Sequence, residues 1–92
     1  MITYRAAYRT IPEGVHAVVL DFPGVITHGK DLEDARRMLA SALVDMAETN
    51  LLLGEALPKP DPDATDPEAD LEEPIHLLLS AASHITVIPQ AG

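Results

Sequence analysis

The chain has 92 residues, with 15 Asp and Glu against six Lys and Arg and a net charge of −9. That length holds one domain spanning residues 1–92, and a chain of this size buries only roughly 60–65% of its unfolded surface. It contains no cysteine, which excludes disulfides and thiolate metal sites and fits a reducing cytosol.

From Ile2 to Arg9 the residues alternate, with Ile2, Tyr4, Ala6 and Tyr8 on one face and Thr3, Arg5, Ala7 and Arg9 on the other. This is the period of a half-buried strand. Arg5 and Arg9 also interrupt any apolar leader, and no stretch approaches the ~20 apolar residues of a membrane span. A soluble, cytoplasmic protein is expected. Pro12-Glu13-Gly14 supplies hairpin turn chemistry, and the β-branched run Val15–Leu20 predicts a second strand. Pro23-Gly24 marks another turn, followed by a short strand, Val25–His28, that ends at Gly29. The three strands read as an antiparallel meander.

Asp31 is a good helix N-cap, and Asp34 three positions on approximates a capping box. Leu32, Ala35, Met38, Leu39, Ala42, Leu43, Met46 and Leu53 recur at helical spacing and predict a core-facing stripe, with Arg36, Arg37, Ser41, Asp45 and Glu48 away from it. Gly54 is the expected stop, and Pro58 and Pro60 prevent continuation. Residues 58–74 hold five prolines and seven acids, which predicts an extended or mobile acidic loop. Beyond it, Ile85–Ile88 reads as a strand. Ile75–Leu79 is a strand or a short helical turn, because periodicity cannot arbitrate at that length. The fold class is therefore α+β: a three-stranded meander, one long helix and a C-terminal strand.

Charge is uneven along the chain. Residues 1–59 carry all six Lys and Arg against eight acids, a charge of −2; residues 60–92 carry seven acids with no Lys or Arg, a charge of −7. Nucleic-acid binders cluster their cations, so this balance points to a basic partner protein. With 3% aromatics and no Trp, the core is thin and aliphatic, which predicts a homodimer or higher homo-oligomer.

Asp21 stands at a strand-to-turn position, where a two-metal nuclease would place a carboxylate. Ile2–Arg9 contributes no acid to join it, so the expected role is bonding backbone amides across the Pro23-Gly24 turn. Asp61, Asp63, Thr65 and Glu72 match positions one, three, five and twelve of a calcium loop, but Asp66 occupies the sixth position, where the sharp turn needs glycine. A solvated charge run is the plainer reading. His16, His28, His76 and His84 show no helical pairing, and a zinc site would have to assemble from distant segments. No metal, cofactor or catalytic residue is expected.

Three stretches then fall in an order that resembles the HicB antitoxin family. Leu20-Asp21-Phe22-Pro23-Gly24-Val25-Ile26-Thr27-His28-Gly29 is similar to its Asp-apolar-Pro-Gly turn and short Thr-x-Gly strand. Asp31-Leu32-Glu33-Asp34-Ala35 is similar to its helix start, and Gly54-Glu55-Ala56-Leu57-Pro58-Lys59-Pro60 to its helix exit. Leu20 stands where the family has proline. The resemblance implies a partial ribonuclease-H-like βββαβ fold and a structural role for these motif residues. It also implies a partner, a small basic HicA-type toxin that cleaves messenger RNA and is neutralised by being covered. His28, beside the fixed turn, and Asp61, Asp63 and Asp66 in the acidic loop are the expected partner contacts. Larger relatives carry a C-terminal DNA-binding segment; none is recognised here, so independent DNA binding is not expected. An orphan HicB-like protein-binding module without a toxin is the alternative, and a degenerate nuclease the third reading.

Overall fold

The computed structural model describes residues 1–79 and 85–88. The fold is α+β, five antiparallel strands and one helix, in the order β1 (Ile2–Ile11), β2 (Gly14–Val19), β3 (Ile26–Gly29), α1 (Leu32–Leu52), β4 (Leu71–Leu79) and β5 (Ile85–Ile88). Strand order across the sheet is β3-β2-β1-β4-β5, so the expected meander forms one half and β4 adds to the free side of β1.

Two expectations are corrected and one open alternative is resolved. The acidic loop ends at residue 70, because Leu71–Pro74 already belong to β4. Ile75–Leu79 is strand, settling the open alternative, and the element order is βββαββ with one strand more than expected. Pro74 disguised β4. Among the described residues β5 pairs with β4 only as far as His76–Ile88, so Pro74 has β1 alone as a described neighbour, where a missing N–H is least costly.

The helix covers one sheet face. Its N-cap is Asp31, whose Oδ1 accepts from Asp34 N at 2.8 Å, while Asp34 Oδ2 accepts from Lys30 N at 3.0 Å. The Lys30 N–H bond first, and a bond from the Arg37 guanidinium to Asp34 Oδ1 second, hold the Asp34 carboxyl below the usual range. At the other end Gly54 takes φ +73°, Glu55 N donates to Asn50 O and Gly54 N to Leu51 O, closing a Schellman motif. Ala35, Leu39, Leu43 and Ala47 are fully buried against Tyr4, Ala6, Tyr8, Ala17 and Val19 of the sheet. Leu39 and Leu43 each contribute ~1.5–3 kcal/mol by that burial. The stripe is narrower than expected: Met38, about 100° round the helix from its centre, is 44% exposed, and Leu53, past the last turn, is 68% exposed. Gly29 is buried beneath the helix start, where a Cβ would meet Ala35 N at 2.5 Å.

Candidate functional site

The helix leaves the opposite sheet face uncovered by secondary structure. Alternation puts Arg5, Ala7 and Arg9 of β1, His16 and Val18 of β2, Ile26 and His28 of β3, and Glu72 and His76 of β4 on this open face. Cross-strand pairing arranges them in rows: Arg9 faces His16, which faces His28, and Ala7 lies between Val18 and Glu72.

Residues 55–70 are held in place, not free. The Tyr4 hydroxyl donates to Pro58 O at 2.7 Å, Asp61 N to Asp21 Oδ2 at 2.9 Å, and Asp70 N to Tyr8 O at 2.8 Å. Thr65 Oγ1 and Asp66 N both donate to Glu72 Oε2, whose partner oxygen accepts from Arg5 Nε at 3.4 Å. The Thr65 hydroxyl bond is the main cause of a Glu72 carboxyl lying below its ordinary range. Arg9 Nη1 donates to Glu68 Oε2 at 2.9 Å, and Thr10 N to the Asp70 carboxylate. The acidic segment is thus clamped along β1, and Ala7, on the open face, is 2% exposed. Asp61 and Asp66 each turn the chain locally, accepting from Asp63 N and Glu68 N. Asp61, Asp63, Glu68 and Asp70 remain exposed, whereas Asp66 is half-buried. Of the two expected readings, extended or mobile, the mobile one is corrected: Glu68 and Asp70 accept from Arg9 and Thr10 of β1, and Thr65 and Asp66 donate to Glu72 of β4.

Asp21 bonds backbone amides, but not across its own turn as expected. Its Oδ1 accepts from Arg5 N at 2.9 Å and its Oδ2 from Asp61 N, tying β1, the end of β2 and the loop together. Phe22 is buried edge-on to Tyr4, ring centroids 5.2 Å apart. Burial, and secondly the Asp21 charge, raises the Tyr4 phenol. Pro23 is exposed at the turn and Gly24 takes φ +91°. Thr27 and Gly29 lie on the helix side of β3, and His28 is exposed on the open face.

Sequence reasoning missed two clusters. Arg36 does not point away from the sheet: its guanidinium donates twice to Glu73, at 2.6 and 3.1 Å, 6.0 Å from the Tyr8 ring centre. Burial, then the Glu73 charge, pushes the Tyr8 phenol up to about 12. This pair lines a cleft of ≈ 390 Å³ between α1 and β4–β5. The second missed cluster is His16 opposite His28. Strand parity through the Pro23-Gly24 turn was the available signal.

Among the described residues no three His, Asp or Glu side chains converge as a metal set, and Glu72 of the calcium-loop match is engaged by Thr65, Asp66 and Arg5. His84 lies outside the described residues. No family model, curated protein or solved structure matches this chain. Among the described residues no helix is long and apolar enough to cross a membrane. The arrangement offers a binding surface of two characters: an acidic ridge over β1 and a histidine-bearing, partly apolar strip on β2–β3.

Proposed function

We propose that this chain is a cytoplasmic, non-enzymatic antitoxin-like protein that neutralises a small basic HicA-type, mRNA-cleaving toxin by covering its active surface. The observation that carries this reading is the clamped acidic ridge. Exposed carboxylates at Asp61, Asp63, Glu68 and Asp70 stand on backbone that is already held, with Glu68 paired to Arg9, so less ordering is needed on binding. Such a ridge complements a cationic RNA-binding face and speeds encounter. The three ordered motifs support the same family, and with it a ribonuclease-H-like origin for the βββα half. The orphan-module alternative draws on a different feature. Leu51, Leu52 and Leu53 are 47%, 87% and 68% exposed at the helix tip, an apolar surface suited to self-association.

Co-expression with the adjacent open reading frame is the test. Growth rescue and a co-purifying complex are expected, and the mass of that complex reads the stoichiometry. Asp61→Asn, Asp63→Asn and Asp66→Asn together keep the side-chain acceptors and remove three charges, so association slows several-fold at low salt while dissociation changes less. Absence of both rescue and complex refutes the antitoxin reading.

A further inference from the structure

We propose that His16 and His28 form a two-histidine chelating site for a late first-row divalent metal ion at the β2–β3 edge. The two residues are direct cross-strand partners. Val19 N donates to Val25 O at 2.9 Å, which makes that pair hydrogen-bonded. Alternation along an antiparallel ladder then makes Ala17–Thr27 hydrogen-bonded and His16–His28 non-hydrogen-bonded. In the latter class the Cα atoms approach to about 4.5 Å and side chains come closest. Both imidazoles rise from the same open face, His28 exposed and His16 half-buried. Stems about 4.5–5.5 Å apart at Cβ allow two ring nitrogens to sit within ~2.1 Å of a shared ion.

The surroundings define the ion. Val18 and Ile26 form the next row and supply an apolar wall without competing oxygen ligands. Arg9, on the other side of His16, belongs to a hydrogen-bonded pair, since Leu20 N donates to Arg5 O in the same register. Its Cα is thus set wider, by about 1 Å, and its charge is engaged by Glu68. Lys30, two residues beyond His28 in the chain, is exposed to solvent. Imidazole without carboxylate selects copper, nickel and zinc over magnesium and calcium. Two protein ligands leave the other positions to water. The inference is independent of the antitoxin reading.

The experiment titrates the full, tag-free chain with Ni²⁺, Zn²⁺ and Mg²⁺ by calorimetry at pH 7.5, with parallel melting curves. Ni²⁺ is expected to bind one per chain, more tightly than Zn²⁺, and to raise the melting temperature, whereas Mg²⁺ gives no heat. His16→Ala and His28→Ala should each weaken Ni²⁺ by about tenfold or more. Both side chains lie on the open sheet face, outside the core beneath the helix, so the metal-free variants should melt close to the parent. His76→Ala and His84→Ala should leave affinity unchanged. No Ni²⁺ binding, affinity unchanged in the His16 and His28 variants, or affinity lost with His76 or His84 each overturns the proposal.

Discussion

Removing the Asp21 carboxylate tests the central joint of the fold. It accepts two backbone N–H groups at 2.9 Å, one from Arg5 in β1 and one from Asp61 in the loop. A hydrogen bond to a charged group contributes ~1.5–3 kcal/mol, and a buried donor left without a partner keeps its desolvation penalty. Asp61 is exposed, so water replaces its partner at little cost; the Arg5 amide lies in a half-buried strand and is not so easily resolvated. Asp21→Ala is therefore expected to cost about 2–4 kcal/mol. For a domain of this size that lowers the melting temperature by roughly 10–30 °C. Asp21→Asn, able to accept one amide but not both, should fall about midway. Chemical denaturation gives the free energy, and hydrogen exchange at Arg5 and Asp61 shows whether the clamp has opened. A loss below about 0.5 kcal/mol in Asp21→Ala, against a stability of order 5–15 kcal/mol, would refute the reasoning.

Two glycines separate crowding from backbone strain. Gly29→Ala drives a methyl to 2.5 Å from Ala35 N and 2.8 Å from its Cα and should cost about 2–3 kcal/mol, whereas Gly54→Ala, at φ +73° with open space around it, should cost about 1 kcal/mol. Equal losses in urea denaturation would contradict this. At alkaline pH the Tyr8 phenol, pushed up to about 12, stays neutral in the folded chain after the unfolded chain has begun to ionise near 10. Its contribution is thus fully present below pH 10 and lost as pH rises towards 12. Tyr8→Phe should flatten that decline in urea midpoints, leaving the smaller slope due to Tyr4, whose phenol is also raised. An unchanged slope would count against it.

What the sequence revealed is what acts locally. The alternation of β1 and the Asp31–Asp34 cap were legible because period and capping operate within a few residues. The Gly54 stop was legible for the same reason. β4 was half hidden because its strand character depends on partners far along the chain: Arg5 for Glu72, Arg36 for Glu73, and β1 throughout. By composition alone, Leu-Glu-Glu-Pro belongs to a loop. Asp21 failed similarly. Its acceptors were assigned to the nearest amides, while the actual donors lie 16 and 40 residues away.

These placements bear on where recognition resides under the proposed function. Asp21, Gly24, Gly29, Asp31, Gly54 and Pro58 all build joints: a three-segment clamp, a positive-φ turn, a helix contact, two helix caps and the tether to Tyr4. Their substitution should damage a partner interface only by damaging the fold. The exposed carboxylates of Asp63, Glu68 and Asp70, and the open-face residues Ile26 and His28, lie outside those joints. Glu68 and Asp70 also hold β1 through Arg9 and Thr10. Asp63, Ile26 and His28 are therefore the positions at which partner choice can change with the least effect on stability. A charge reversal at Asp63 that slows association without lowering the urea midpoint would separate recognition from folding, and an equal fall in both would merge them.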